Sequence, residues 1–239
     1  MNLLKNICWI LFVSFILVSC EYQAKRYCER GLMSLEKGDY DKAIEFLDKS
    51  IDLSGTAEAY NARGFAYYEK GDYINSLGSF NMAVELDNGD YKGYYNRGNA
   101  YLRLKYYNKA INDYEHALSR NTTNADVYLN KGNTHFVLKQ FDLAVSEFDK
   151  AIALDADNFL TYFNKGKSQV LLEDYNGAMV SLQQSVDINE EYAASFYWLG
   201  VCSTEIGNKD EGCILFTQAA QMGNPYARKV VAELCSAGI

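Results

Sequence analysis

The residues that could carry chemistry in this chain are few: six cysteines and two histidines among 239 residues. His116 and His135 lie in different segments and make no plausible metal pair, and no two cysteines have zinc-ligand spacing. The sequence also shows no serine nucleophile elbow, no zinc-protease helix and no phosphate-binding loop. It therefore predicts a protein with no catalysis of its own, no metal site and no cofactor.

Cys20 follows an N-terminal segment that is typical of exported proteins. Lys5 is the only charged residue before Glu21, and residues 7–18 form an almost wholly apolar run. That run is too short for a transmembrane helix, which needs about 20 apolar residues. The basic start, the length and the small residue near the end predict a secretory signal peptide over residues 1–19.

The end of this segment, Leu17-Val18-Ser19-Cys20, resembles the lipobox of bacterial lipoproteins. The resemblance implies that Cys20 receives a diacylglycerol on its sulfur and becomes the first mature residue, so that residues 20–23 are the lipidated cysteine and a short tether. It also implies an exported protein held on a bacterial membrane by lipid, with the outer membrane favoured over the inner. The alternatives are an ordinary signal peptide with an incidental cysteine, or a short anchor.

The charge balance excludes some partners. Removal of residues 1–19 takes away Lys5 and no acid, which moves the net charge from −8 to −9. An acidic chain without a basic run is a poor ligand for nucleic acid, because such binding depends on neutralising phosphates. It is equally unsuited to lying flat on anionic lipid.

The rest of the chain is a repeat, which must supply the elements that position any site. Glycine recurs every 33 or 34 residues, at Gly31, Gly64, Gly98, Gly132, Gly166 and Gly200. With Tyr91 as position 1 of its repeat, these glycines fall at position 8. Large residues, mostly aromatic, recur at positions 4, 17 and 24, with tyrosine also at position 11 of units two and three, and small residues recur at position 20. Such spacing places them on one face of a helix pair, with the small residues where the two helices approach.

This pattern resembles the tetratricopeptide repeat (TPR) family, whose period is 34 residues. The resemblance implies an all-α, right-handed superhelical solenoid of six TPR helix pairs over residues 24–226. The six units are residues 24–56, 57–90, 91–124, 125–158, 159–192 and 193–226. Asn224-Pro225 is a good helix start, and we expect a C-terminal capping helix over residues 225–239 that covers the apolar side of the last unit.

Two cysteines of the sixth unit could form a disulfide. Cys202 and Cys213 are expected on its two facing helices, and an exported protein can keep such a bond. The alternative is that both are small buried residues, which free cysteine resembles. The redox state of Cys28 and Cys235 stays open.

Polar residues at repeated positions indicate a binding groove. In TPR proteins the first helix of each unit lines the inner face, and positions 2, 5, 6, 9, 12 and 13 point into the groove. Positions 6 and 9 are the ones that carry repeated polar residues here. Asparagine or lysine occupies these positions in units three to five: Asn96, Asn99, Asn130, Asn133, Asn164 and Lys167. An asparagine amide both donates and accepts, so it can grip a peptide backbone. The run resembles the asparagine ladders of some TPR proteins, although asparagine at position 6 is also frequent in these repeats generally.

Towards the C-terminus we expect this groove to become apolar, with eight lining residues: Leu129, Phe136, Val137, Leu160, Phe163, Val170, Leu171 and Tyr197. An exposed apolar patch usually marks a partner site, although a neighbouring helix could instead cover some of these side chains. A clamp for a C-terminal carboxylate is not expected, because Leu160 stands where it needs lysine.

The expected function is a membrane-anchored scaffold that binds a peptide or helix of an envelope protein and helps assemble an envelope complex. A narrower version is similar to the small TPR lipoproteins that assist type IV pilus secretin assembly. The alternative is a cell-wall-linked adaptor that recruits or regulates peptidoglycan hydrolases or binds glycan. Neither version involves nucleic acid or a small-molecule substrate.

Overall fold

The computed structural model describes residues 20–235, and these contain helices and no strand. The predicted all-α class is therefore confirmed. The chain divides after residue 122 into two compact bodies, called here the N-terminal body and the C-terminal body. The predicted signal peptide over residues 1–19 lies outside the described residues.

The N-terminal body holds three helix pairs, whose second helix in each case packs antiparallel on the first. Its helices are α1 (20–36), α2 (Tyr40–Leu53), α3 (Ala57–Glu69), α4 (Tyr73–Leu86), α5 (Tyr91–Arg103) and α6 (Tyr107–Leu118). Residues 20–23, expected as a tether, are helical and continuous with the rest of α1. The helix of the first repeat thus includes the residues that were expected to link it to the anchor.

The C-terminal body holds three further pairs and a short terminal helix. Its helices are α7 (Ala125–Val137), α8 (Phe141–Leu154), α9 (Phe159–Leu171), α10 (Tyr175–Ile188), α11 (Ala193–Glu205), α12 (Lys209–Gln221) and α13 (Pro225–Val230), followed by a π-helical turn over Val231–Cys235. None of the helices within residues 20–235 has the length and apolarity needed to cross a bilayer.

The position-8 glycines allow the two helices of each pair to touch. A Cβ added to Gly132 would lie 2.6 Å from the Phe148 ring of α8, and one added to Gly98 would lie 2.8 Å from Tyr114. Both rings are completely buried. Carbon atoms in contact normally stay about 3.5–4.0 Å apart, so only glycine fits here. The proposed repeat register thus corresponds to a real helix–helix contact.

The turns within the pairs differ in quality. Gly38, Gly71 and Gly207 take left-handed backbone conformations with φ of 71°, 80° and 93°. Lys105 and Lys139 are forced into the same region with φ of 64° and 60°. The residues after these lysines, at the N-caps of α6 and α8, make no side-chain cap hydrogen bond. The third and fourth turns therefore lack both the glycine and the side-chain cap that stabilise the first and second turns.

A basic residue at position 7 of the repeat is held by carboxylates, a pattern not recognised from the sequence. Arg97 donates to both carboxylate oxygens of the buried Asp113, with Nε–Oδ2 and Nη2–Oδ1 distances of 2.8 Å. Arg63 reaches back to Asp48 of the preceding pair at 2.7 Å. These contacts join helices within a pair and between adjacent pairs.

The C-terminal turn is fixed by a cap and a disulfide. The Asn224 side chain accepts hydrogen bonds from the first turn of α13, with Pro225 at its start. Cys213 of α12 is bonded to Cys235, with a Cα–Cα distance of 5.6 Å. The expected Cys202–Cys213 bond is wrong. Cys202 is buried against the fifth pair, where burial raises the pKa of its thiol to about 11, whereas Cys213 faces the terminal turn.

Candidate functional site

The candidate groove is built on the first helices of the pairs. In α9, four residues follow one another at steps of four, three and four: Leu160, Asn164, Lys167 and Leu171. Such steps keep them on one helix face. Gly166 holds a different face of α9 against Leu182 of α10. Asn158 starts the helix by accepting from the backbone N–H groups of Leu160 and Thr161.

Asparagine amides on this face bond to one another between adjacent pairs. In the C-terminal body, Asn164 Nδ2 of α9 donates to Asn133 Oδ1 of α7 at 3.0 Å. In the N-terminal body, Asn96 Nδ2 of α5 donates to Asn61 Oδ1 of α3, also at 3.0 Å. All four side chains are half-buried. The two amide pairs join neighbouring first helices at groove positions.

Each amide pair keeps unused hydrogen-bonding capacity. A primary amide has two N–H donors and an oxygen that accepts two bonds, and the pair uses only one of each. Within residues 20–235, the Asn133 Nδ2 group and the Asn164 Oδ1 atom have no other protein partner. The bonded pair thus keeps both a donor and an acceptor, which is what a peptide C=O and N–H require.

The other two predicted asparagines differ from these. Asn99 Oδ1 accepts a 2.8 Å hydrogen bond from the hydroxyl of the fully buried Tyr114, so its amide is tied to the core of its own pair. Asn130 is half-buried on α7. Asn61 lies outside the predicted asparagine run, which covers positions 6 and 9 of units three to five. It stands at position 5 of the second unit, where Phe65 occupies position 9. Its bond to Asn96 shows that either position can supply the partner.

Lys167 lies at the centre of the α9 face, over two aromatic rings. Its Nζ is 4.9 Å from the ring centroid of Phe136 and 5.3 Å from that of Phe163. Burial lowers the pKa of Lys167, because desolvation disfavours its charged form. Within the described residues this ammonium makes no ion pair and donates no hydrogen bond. Within the described residues, the Lys167 ammonium therefore contacts the faces of these two rings and no opposite charge.

Two of the expected apolar lining residues are placed differently by the structure. Phe163 retains 6% of its exposure, because the Tyr192 ring covers it edge-on at 4.9 Å, so it offers little surface of its own to a partner. Tyr197 is half-buried and packs with Phe216 and Tyr226 at the C-terminal turn. Phe136 is half-buried beneath Lys167.

Three of the expected apolar residues are open to solvent on the first helices of the C-terminal body. Leu160, Leu171 and Val137 are 40%, 46% and 50% exposed. They flank the amide pair and Lys167 along α9 and α7. The apolar character expected for this part of the groove thus comes mainly from aliphatic residues at the ends of these helices.

The N-terminal body has a cleft of about 430 Å³ on the corresponding helices. It contains the Asn61–Asn96 amide pair, and Phe65 and Glu58 also line it. Asp90 at its edge accepts a 3.0 Å hydrogen bond from the backbone of Lys92 and so caps α5. Its role as a helix cap therefore accounts for the presence of the Asp90 carboxylate at the edge of the cleft.

Other predicted chemistry is limited. Cys20 is half-buried at the start of α1. Within residues 20–235, no group of three His, Cys, Asp or Glu side chains is arranged to hold a metal ion. Among the described residues, the groove face is therefore the best-supported candidate site, and the activity that it supports is binding.

Comparison with known families agrees with the repeat pattern. Models of the tetratricopeptide repeat match residues 91–124 and, separately, residues 24–56, 125–158 and 160–192. Together these cover more than half of the chain. The pairs at residues 57–90 and 193–226 have the same two-helix structure. No curated protein sequence matches the chain significantly.

Several solved structures share the fold. Pseudomonas aeruginosa pilF matches with a TM-score of 0.76 and 17% identity, over 90% of this chain and 99% of that one. YrrB, described as a TPR protein with an unusual peptide-binding site, matches with a TM-score of 0.69 and 21% identity, over 78% and 97%. MamA from Desulfovibrio magneticus RS-1 matches with a TM-score of 0.66 and 18% identity, over 70% and 94%. At these identities the likeness concerns the fold.

Proposed function

The chain belongs to the tetratricopeptide repeat family, and on that basis we propose that it is a protein-binding scaffold that holds a partner's peptide segment on its first-helix face. The role is binding without catalysis. YrrB, which has the same fold, is described as having a peptide-binding site, and this supports the proposal.

One observation carries the proposal: the bonded Asn133–Asn164 amide pair, which is half-buried and keeps an unused donor and an unused acceptor. A surface that presents both can bind a peptide unit whatever side chain that residue carries. The amide–amide bond also fixes both side chains before a partner arrives, so less rotamer entropy is lost on binding.

We further propose that the protein works in the cell envelope, anchored through lipid on Cys20. The support is the resemblance of the residues before Cys20 to a lipobox, together with the Cys213–Cys235 disulfide, since such bonds persist in oxidising compartments. With lipid on Cys20, the first repeat would sit at the membrane surface, because residues 20–36 are helical without a break.

The anchor is tested by Cys20→Ser. The variant should remain unprocessed or become soluble, and it should lose labelling by a fatty-acid probe. Cys28→Ser is the matched control, since this buried cysteine of the same helix should not affect labelling. Maturation and detergent partitioning of Cys20→Ser like the wild type would contradict the anchor.

The groove is tested by removing both members of the C-terminal amide pair, in Asn133→Ala/Asn164→Ala. Replacing both partners leaves neither amide unpaired, so the fold should lose only about 0.5–1.5 kcal/mol. The matched control is Asn112→Ala/Asn176→Ala, which removes two exposed asparagines from second helices.

The three proteins are used to capture partners from native envelope extracts, with identification by mass spectrometry. We expect a partner retained by the wild type and the control but lost by the groove variant. Pilus or secretin subunits would favour the narrower assembly role, whereas wall enzymes or glycan would favour the adaptor. Equal capture by all three proteins would contradict binding at the amide pair.

A further inference from the structure

Lys167 has an environment unlike that of the other half-buried lysines of the C-terminal body. Lys165, on the same helix, pairs with Asp149 at 2.7 Å, and Lys131 lies 3.4 Å from a Glu147 oxygen. Lys167 has no carboxylate partner within residues 20–235. Of the two half-buried lysines of α9, Lys167 is therefore the one whose charge has no opposite charge beside it within the described residues.

The surroundings of Lys167 make an added carboxylate favourable. The Phe136 and Phe163 rings lie beneath Nζ and exclude water from one side of it. An ion pair formed in such a partly dehydrated place is stronger than one in bulk water. An ammonium also keeps three N–H donors, and none of these is used within the described chain.

The residues around Lys167 restrict what can bring that carboxylate. The bonded amides of Asn164 and Asn133 lie one helical turn away and offer contacts to backbone. Leu160 and Leu171 are exposed on the same face of α9 and offer apolar contacts. The neighbouring groups therefore suit a continuous peptide chain with a central acid and apolar flanks.

We propose that Lys167 binds the side-chain carboxylate of an aspartate or glutamate within an extended segment of the partner, whose apolar residues contact Leu160 and Leu171. This inference rests on the proposed peptide-binding function and specifies its ligand. At about 1.5 Å rise per residue, Leu171 lies about 6 Å beyond Lys167 along α9, and Leu160 about 10 Å before it. An extended chain covers these distances in about two and about three residues.

The test is a selection of random peptide segments on the full-length chain in detergent. One library displays the segments between fixed flanks on both sides, and a second displays them with free C-termini. Selections are run on the wild type, Lys167→Met, Lys167→Glu and the control Lys165→Met. Lys165→Met removes a charge from the same helix but one that is already paired with Asp149.

The wild type and Lys165→Met should enrich aspartate or glutamate at one fixed position, with apolar residues within about three positions on either side. Lys167→Met should lose this preference and bind the selected peptides roughly 10- to 100-fold more weakly, as expected for a charge-assisted contact. Lys167→Glu should instead enrich lysine or arginine there. Circular dichroism checks that each variant is folded.

Three outcomes would overturn the inference. Selected peptides that need Asn133 and Asn164 but carry no fixed acid would leave the proposed function standing without this ligand. Enrichment confined to the free C-terminal library would assign Lys167 to a terminal carboxylate instead. Peptides that bind Asn133→Ala/Asn164→Ala as tightly as the wild type would contradict the proposed function, and the inference with it.

Discussion

The contact between Gly132 and Phe148 gives a quantitative test of the repeat register. Gly132→Ala adds one methyl group to α7, and that carbon would lie 2.6, 2.8 and 3.1 Å from three atoms of the Phe148 ring. The ring would have to retreat by about 1 Å to restore normal contact. Because the ring is completely buried in a close-packed interior, the retreat displaces other core atoms.

The expected free-energy change combines two opposing effects. Overpacking a well-packed core typically costs about 1–3 kcal/mol. Replacing glycine by alanine inside a helix gains about 1 kcal/mol of helix propensity. Gly78 isolates the second effect, because it lies in α4 and an added Cβ there meets nothing within 4 Å. Gly78→Ala should therefore stabilise the protein, and Gly132→Ala should be about 1–3 kcal/mol less stable than Gly78→Ala.

Thermal melts followed by circular dichroism measure this difference. For a chain of this size, 1 kcal/mol corresponds to a shift of about 2–4 °C in melting temperature. Adding Phe148→Leu to Gly132→Ala should recover part of the loss, because the smaller side chain can yield, and the two changes should be non-additive. A melting temperature raised equally by Gly132→Ala and Gly78→Ala would refute the close helix contact and the register derived from it.

Three further predictions concern charge and the disulfide. Asp113→Ala should cost about 3 kcal/mol in chemical denaturation, because it leaves a half-buried guanidinium unpaired, whereas Asp149→Ala should cost below about 1 kcal/mol because its carboxylate is largely exposed. Equal losses would contradict this reasoning. Reduction of the Cys213–Cys235 bond should destabilise the C-terminal turn by about 3 kcal/mol, and a reductant should leave the melt of the double serine variant unchanged. Lys167→Met should melt at a higher temperature than wild type at neutral pH, because burial lowers the pKa of this lysine and penalises its charge in the folded state. The difference in melting temperature should shrink as pH rises from the lowered pKa of folded Lys167 towards the ordinary value of 10.5, because the folded wild type loses this proton in that range. A difference that does not depend on pH would refute the argument.

The fold could be predicted because its information is periodic. Glycine at position 8 and a large residue at position 24 recur in every repeat, and the structure brings each such pair into contact, as Gly132 and Phe148 illustrate. The period also locates the first helices, and the resemblance to the TPR family then implies the face on which Asn164 and Lys167 stand. These features depend on spacing along one helix, and that spacing can be read directly from the sequence.

The details of the site depend on which side chain of a neighbouring element contacts it, and residue spacing does not identify that side chain. Phe163 occupies a position that faces the groove in the family, but Tyr192, from the residues just before α11, covers it. Asn61 joins Asn96 from a position one turn away from the expected one. Cys213 pairs with Cys235 because the terminal turn folds back onto α12. The ion pairs at position 7 do have a signal in the sequence, because a basic residue recurs at that position in five consecutive repeats.

The most direct test of the central claim is calorimetric titration of the captured partner's peptide segment against the wild type, Asn133→Ala/Asn164→Ala and Asn112→Ala/Asn176→Ala. Loss of two hydrogen bonds at about 0.5–1.5 kcal/mol each predicts roughly 5- to 150-fold weaker binding by the groove variant. The control should bind like the wild type, and both variants should keep their helical content. Wild-type affinity in a folded groove variant would contradict the claim that this amide pair holds the partner's backbone.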